Sequence, residues 1–523
     1  MTPVELSDPV ARVNAPLGIG DVLAQNTRSY GAATAVVCRE HRATYEDLAA
    51  RVARLTSVFR AAGVDAGARV LWLGQNCHRF LEALLAAGQL GAMVCPANWR
   101  SSAAELGFVL EDLDPVVVLW QEEEIGALVA EVRANASPEH AGRTWIRHDG
   151  DGADDYEARV AAASPVAGVS AVDPERPLAV LYTAAFDGRP NGSLLTHTNL
   201  LTQGLMVAMM QAIDRDTVYL NCGPLFHIAT LFVTIPTFQF GGTNVFVRRM
   251  EAEELCRVIA AERCTRAFIL PPTINEIVSV NADGRHDLSS MQSGFDIEGW
   301  NDMVAPDTAI WGTRPAGYGQ TEVLGLVTFA GLGGTPGDFT TGRASPLTSV
   351  RIVDDEDREV AVGAVGEIVA RGVTVGAGYW NRPELNERRR RNGWWHTNDL
   401  GRRNADGTVT FVGPKLRMIK SAAENIYPVE VEACLESHAG VREAAVIGVP
   451  DERWGQSVKA IVAVQPGANP TEDELIAHCR INIGSYKKPR TIEFVDALPR
   501  RGGPKDYDAL DARFGGGGYP GSV

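Results

Sequence analysis

Between residues 70 and 120 the chain reads Val70-Leu-Trp-Leu-Gly74, then Met93-Val-Cys-Pro96, then Val116-Val-Val-Leu-Trp120, with alanine- and leucine-rich segments of helical length between the runs. Short continuous apolar runs fit strands covered on both faces, and the helix-length spacers supply the crossovers that parallel strands require. The pattern returns at Leu178-Ala-Val-Leu-Tyr182 and Ala267-Phe-Ile-Leu-Pro271, so the stretch from Ala43 to about Ser279 reads as α/β. Past about Gly342 the runs shorten and Asp/Gly turns separate them, as in Val350-Arg-Ile-Val353 and Gly366-Glu-Ile-Val-Ala370; this predicts a β-rich subdomain over 342–413. From about Arg417 the order becomes helix, strand, strand, helix, strand (Pro428 to Ser437, Ala444 to Val449, Ala460 to Val464, Glu472 to Asn482, Thr491 to Val495). That predicts a large unit over 1–413 and a separate small α+β domain over 417–514. The glycine-rich end, 515–523, is expected to be a flexible tail.

With 523 residues, 45% of them hydrophobic and 22% charged, the chain has the composition of an ordinary globular protein of several folding units. Its 49 lysines and arginines stand against 65 acids, a net charge of −16. That balance opposes nucleic acid and anionic membranes as partners, because both need a basic surface. An anionic small molecule would need a local basic pocket. The N-terminus carries acids where a signal peptide needs bases, and no apolar run is long enough for a membrane span, so a cytoplasmic location is expected. The eight cysteines are dispersed, with no C-x-x-C pair, and read as reduced packing residues. The run Arg388 to Arg391 reads as a solvated helix end.

One segment carries chemistry. Leu181-Tyr-Thr-Ala-Ala-Phe-Asp-Gly-Arg-Pro-Asn-Gly-Ser-Leu-Leu-Thr-His-Thr-Asn199 leaves an apolar strand, turns through glycines and a proline, and is predicted to enter a helix. Such a turn aims backbone N–H groups at an anion, although plain connectivity also produces it.

Further landmarks follow in order: Ala43-Thr-Tyr-Glu-Asp-Leu48, Pro96-Ala-Asn-Trp-Arg100, Pro224-Leu-Phe-His227, Gly317-Tyr-Gly-Gln-Thr-Glu322, Gly378-Tyr-Trp-Asn381, Trp395-His-Thr-Asn-Asp-Leu-Gly-Arg402, Met418-Ile-Lys-Ser-Ala-Ala-Glu-Asn-Ile-Tyr-Pro428 and Gly448-Val-Pro-Asp-Glu-Arg-Trp-Gly455. On these motifs the chain resembles the superfamily of AMP-forming acyl-CoA synthetases, which also holds luciferases and the adenylation domains of peptide synthetases. The resemblance implies a large N-terminal domain of two helix-flanked sheets plus a β-rich subdomain, and a small C-terminal domain that rotates about a hinge at 414–416. It also implies two reactions in one cleft. ATP and a carboxylate give acyl-adenylate and pyrophosphate; the small domain then turns, and coenzyme A displaces AMP.

Carried over by motif, Thr183, Gly317, Tyr318, Gly319, Gln320, Thr321, Glu322 and Asp399 would hold AMP or the acyl-adenylate. Among them Tyr318 would stack on adenine, Thr321 would touch the α-phosphate, Glu322 would hold magnesium and Asp399 would take the ribose hydroxyls. His227 would line the passage for the acyl group and pantetheine, and Lys505 would bridge carboxylate and phosphate during adenylation; these are the catalytic candidates. Coenzyme A would meet Lys420, Ala422, Ala423, Glu424, Trp454, Tyr486, Lys487, Lys488 and Arg490, where cations pair with phosphates and rings stack on adenine.

The phosphate loop departs from the family pattern Tyr-Thr-Ser-Gly-Thr-Thr-Gly-Arg-Pro-Lys-Gly: Ala184, Ala185, Phe186, Asp187 and Asn191 replace its Ser, Gly, Thr, Thr and Lys. Each charge-assisted hydrogen bond lost is worth about 1.5–3 kcal/mol, and a carboxylate about 4 Å from a phosphate costs up to about 4 kcal/mol at an effective dielectric near 20. Pro414 and Leu416 also replace an arginine and a polar hinge residue, Pro504 replaces a glycine, and Ser293 to Glu298 departs from the usual adenine-facing loop. The lost loop groups serve pyrophosphate, which has left before the thiol attacks. The sequence therefore points to thioester formation from acyl-AMP with weak or absent adenylation, and to a separate adenylating enzyme as partner. A complete ATP-dependent ligase and a non-catalytic adenylate- or CoA-binding homologue are the alternatives. The acyl group is not readable.

Overall fold

The computed structural model describes residues 16–135, 142–166, 172–186, 188–333, 340–422 and 424–520. The apolar runs between residues 70 and 120 are the strands Arg69–Leu73, Met93–Pro96 and Val117–Trp120, paired in parallel at the centre of a six-stranded sheet. Thr144–Arg147 extends it on one side, and Pro177–Thr183 and Asn191–Thr196 on the other. A second, five-stranded sheet runs Arg266–Ala267, Val218–Asn221, Thr243–Phe246, Thr34–Cys38, His41–Thr44. The helix His78–Gln89 touches strands of both sheets. Its sequence is apolar on nearly every face, and ten of its residues are buried, as a helix between two layers must be. Trp72 closes this core, edge-on to Phe80 at 5.7 Å and stacked on His148 at 4.2 Å.

Two predicted features differ. The run starting at Ala267 forms only the two-residue strand Arg266–Ala267, because Pro271 and Pro272 lack N–H donors and start the helix Pro271–Val280 instead. The chain after Pro177–Thr183 does not enter a helix directly. It returns as the antiparallel strand Asn191–Thr196, and the helix His197–Gln211 starts only after Thr196 caps it, with Asn199 N–H donating to Thr196 Oγ1 at 3.1 Å.

The β-rich part is an antiparallel sheet of Thr348–Val353, Val365–Gly372, Trp394–Arg403 and Val409–Pro414, with Arg390–Arg391 at its edge. The small unit pairs Val441–Asp451 with Gly455–Val464 and covers them with the helices Pro428–Glu436 and Glu472–Asn482 on one side and Tyr507–Phe514 on the other.

The described part of the tail is docked rather than free. Gly517 N–H donates to Gly448 O at 2.9 Å, Gln456 Nε2 donates to Gly517 O at 2.6 Å, and Tyr519 Oη accepts from Gly448 N–H and donates to Asp511, both at 2.9 Å. Arg417 lies over the Tyr519 ring at 4.6 Å. One aromatic anchor and Gly517 on the strand edge suffice, with Gly515 and Gly516 N–H groups closing the preceding helix on Asp511 O, where composition alone suggested disorder. No helix among the described residues is long and apolar enough to cross a membrane. All eight cysteines are free and buried. Those far apart in sequence nevertheless meet: Cys38, Cys77 and His78 place ligand atoms within 4.8 Å of one another.

Candidate active site

A cleft of about 520 Å³ opens between the large unit and the small one. One wall is the strand Gly317–Gln320, which leaves no room for side chains at its glycines: a Cβ on Gly319 would lie 1.6 Å from Gly325 O. Tyr318, Gly319, Gln320, Thr321, Glu322 and Asp399, all read from the sequence, line this side, as do Gly317 and Thr183. Tyr318 Oη donates to Asp399 Oδ2 at 2.7 Å, and Gln320 Nε2 donates to the same oxygen at 3.0 Å. Burial raises the Asp399 carboxyl to about 6, with the charge of Glu322 adding to it, while the Tyr318 and Gln320 donors oppose the rise. Tyr318 is 5% exposed and stacked on Phe411 at 5.5 Å, so one face of its ring is already covered. Tyr379 Oη donates to Glu322 Oε1 at 2.7 Å. Glu322 is a carboxylate that could hold magnesium, which takes one or two protein carboxylates and fills its shell with other oxygens.

The segment after Thr183 joins the antiparallel strands Pro177–Thr183 and Asn191–Thr196, so it does not lead directly into a helix. Thr183 and Ala184 line the cleft, while Asp187 lies outside the described residues. Phe186 projects among rings, 6.2 Å from Tyr379 and 6.3 Å from Tyr427 of the small unit. Asn191, at the family's lysine position, is wholly buried: its Oδ1 accepts from Arg382 Nε at 3.1 Å, and Arg382 Nη1 pairs with Asp112 at 2.9 Å. Tyr182 Oη donates to the same Asp112 at 2.7 Å. The side chain that would reach a phosphate in the family pattern serves here to join strand and loop.

The opposite wall comes from the small unit. The hairpin Ile419–Ser421 and Glu424–Ile426 faces the large unit, and Glu424 pairs with Arg100 and with His227 Nε2, the latter at 3.3 Å. Burial alone would raise the Glu424 carboxyl, but the His227 hydrogen bond and the His227 and Arg100 charges hold it at about 2. His227 is the N-cap of the helix Ile228–Gln239. Ala422 sits at the hairpin turn with φ 51°, a left-handed conformation that costs an alanine about 1–2 kcal/mol. Ala423 lies outside the described residues. Lys420 lines the cleft and donates to Asn425 Oδ1 at 2.7 Å.

Three expectations need correction. Lys487 is not free for phosphates: it is 5% exposed and donates to Glu105 at 2.7 Å and Glu430 at 2.6 Å, an ion triad that clamps the two units together. Lys505 does not reach the cleft in this arrangement; its Nζ is held by Glu432 at 2.9 Å, Glu436 at 3.3 Å and the carbonyl of Ala444. The run at Arg388 is not all solvated, because Arg389 is 6% exposed and lines the cleft. Tyr486 stands in the cleft under Arg100, at 5.7 Å. Trp454, Lys488 and Arg490 lie outside it, with Arg490 over the Trp454 ring at 5.6 Å and Lys488 donating to Ser485 O at 2.9 Å. The sequence reading missed Arg100 as a partner of Glu424; its place inside the landmark Pro96 to Arg100 was the available signal.

A second cavity of about 400 Å³ shares Ile228, Gly317, Gly319 and Gln320 with the cleft and is otherwise mainly apolar, lined by Phe232, Phe268, Phe295 and Trp311. At those four residues it adjoins the cleft as an apolar branch.

Known proteins resemble the chain along most of its length. The family described as AMP-binding enzyme matches residues 23–380, and the AMP-binding enzyme C-terminal domain matches residues 430–504. The chain is 34% identical to a feruloyl-CoA synthase of Amycolatopsis sp over 494 residues, 93% of this chain and 97% of that one. It is 30% identical to an indoleacetate–CoA ligase of Aromatoleum aromaticum over 489 residues, 89% of this chain and 92% of that one. The solved structure of the amide bond synthetase McbA from Marinactinospora thermotolerans has the same fold, with a TM-score of 0.80 at 24% identity over 95% of this chain and all of that one.

Proposed function

The chain belongs to the AMP-binding enzyme family, and within it we propose an acyl-CoA-forming enzyme specialised for the second half-reaction, acyl-adenylate plus coenzyme A giving acyl-CoA and AMP. The observation that carries this reading is the phosphate loop: Phe186 is packed toward Tyr379 and Tyr427 where the family has a hydroxyl, and Asn191 is turned into the Arg382–Asp112 pair where the family has an ammonium. The position of Lys505, held by Glu432 and Glu436, supports it.

The groups for thiol attack stand together. His227 lines the cleft next to Ile228, the residue that cleft and apolar branch share, and its imidazole is held by the Glu424 carboxylate. A carboxylate partner orients the ring, so His227 is suited to take the thiol proton as sulfur bonds to the acyl carbon. The bond from that carbon to the phosphate oxygen then breaks, and AMP leaves with its electrons. Magnesium, when bound at Glu322, would offset phosphate charge. The acyl group lodges in the aromatic branch, which favours an apolar, ring-bearing acid over a charged one; the relatives named for feruloyl and indoleacetate substrates support that choice. The lining of Tyr486 and Lys420 supports coenzyme A as the thiol, and a separate adenylating enzyme is the partner this reading requires.

A complete ATP-dependent ligase is the second reading, favoured by the names of the relatives. The deciding assay pairs aryl carboxylic acids with ATP and coenzyme A, and their synthetic acyl-adenylates with coenzyme A, detecting acyl-CoA by mass. Product from the adenylates alone is the expected result. Product from free acid and ATP at a comparable rate establishes the complete ligase, and no product in either arm leaves a non-catalytic homologue.

A further inference from the structure

Four cationic side chains are buried among the described residues: Arg266, Arg382, Arg389 and Lys487. Three have carboxylate partners, with Arg266 on Asp307 at 3.0 Å, Arg382 on Asp112 at 2.9 Å and Lys487 on Glu105 and Glu430. Arg389 has none within 4.0 Å among the described residues. It closes the helix Pro383–Arg389, and its Nη1 donates to His396 O at 3.0 Å, while neither Nε nor Nη2 has a hydrogen-bond partner among the described residues. Its guanidinium lies 4.8 Å from the centre of the Phe186 ring. A desolvated cation that no carboxylate contacts among the described residues is unfavourable, and an anion entering the cleft would complete the site. The aromatic face holds the guanidinium plane in place and leaves donors for a tetrahedral oxyanion.

The position narrows the anion. Arg389 shares the cleft lining with Thr321, Glu322 and Asp399 on the nucleotide side and with Thr183 and Phe186 of the loop. Two carboxylates already stand there, so an incoming phosphate needs a cation to offset them. The loop between Thr183 and Asn191 supplies neither the family's ammonium nor its hydroxyls.

We propose that Arg389 is the phosphoryl-binding residue of this cleft, pairing with the phosphate of the acyl-adenylate and of AMP in place of the groups the loop lacks. Phe186 is then a platform for that cation as well as an obstruction to pyrophosphate. The assignment rests on the adenylate reading above, but its test does not depend on turnover.

Titration calorimetry on the full chain with AMP, adenosine and inorganic pyrophosphate separates the contributions. The wild type prefers AMP to adenosine. Arg389→Gln weakens AMP about 10-fold or more and leaves adenosine unchanged, while Arg389→Lys keeps part of the preference because it keeps the charge without the fork. An unchanged AMP-to-adenosine ratio in Arg389→Gln overturns the assignment. So does a loss confined to pyrophosphate, which would place Arg389 in adenylation. Should Arg389→Gln fail to fold, Phe186→Ala decides: it removes the platform alone, lowers AMP affinity a few-fold if the assignment holds, and leaves it unchanged if the assignment is wrong. A protein that binds AMP through Arg389 yet forms no acyl-CoA would contradict the proposed reaction without touching this site.

Discussion

Restoring the family's lysine by Asn191→Lys is the substitution that sequence comparison invites, and the structure predicts that it harms the protein before it helps catalysis. Asn191 is wholly buried and accepts from Arg382 Nε at 3.1 Å. Losing that bond from a charged donor costs about 1.5–3 kcal/mol. A lysine ammonium placed some 4–5 Å from the guanidinium adds repulsion of about 3–4 kcal/mol at an effective dielectric near 20. Asp112, which already pairs with Arg382 at 2.9 Å, recovers part of this, leaving a net loss of about 3–6 kcal/mol. At about 2–4 °C per kcal/mol for cooperative units of 150–250 residues, the melting midpoint falls on the order of 10 °C. Calorimetric melting of Asn191→Lys, Arg382→Gln and the double variant measures the coupling directly: the double variant should melt above Asn191→Lys, because removing one cation relieves the other. The reasoning is refuted if Asn191→Lys melts within about 2 °C of the wild type and releases pyrophosphate from ATP. The ammonium would then have reached the cleft, and the buried anchoring of this position would be unimportant.

Two further outcomes are expected. Asp399 is raised to about 6 in the folded protein from an ordinary value of 3.8, so the folded state binds the extra proton between those values. Its contribution to stability is present below the ordinary value and lost as pH rises through about 6. Asp399→Asn should therefore gain melting temperature over the wild type at pH 7.5 and less at pH 5, while losing AMP affinity at pH 7.5; a gain that does not change with pH contradicts the raised carboxyl. Glu424→Gln removes the charge partner of Arg100 and His227, and because Arg100 is 37% exposed its direct effect on stability should be only about 1 kcal/mol. Its rate with acyl-adenylate and coenzyme A should fall at least about 10-fold by loss of the oriented base, whereas wild-type turnover would remove His227–Glu424 from the mechanism.

The two-sheet fold was legible because buried strands and crossover helices write themselves as apolar runs, and Val70 to Leu73 or Met93 to Pro96 needed no further context. Gly317 and Gly319 were equally legible as motif positions, because a Cβ at either has no room against the neighbouring strand. What escaped was set by tertiary partners. Lys487 looked like a phosphate ligand until Glu105 and Glu430, both remote in sequence, arrived beside it. Arg389 could not be told from its exposed neighbours Arg388 and Arg390, because only the turn of the helix Pro383–Arg389 decides which of them faces the cleft. The tail misled for the opposite reason: its glycines suggested freedom, and Tyr519 alone carried the signal for docking.

That docking has a practical side. Tyr519 is fastened between Gly448 and Asp511, and the next residue, Pro520, already lines the cleft. A reporter or second enzyme joined directly to Pro520 would start at the cleft lining. A second enzyme fused directly after Pro520 would bring a thiol donor or an adenylate source beside the cleft.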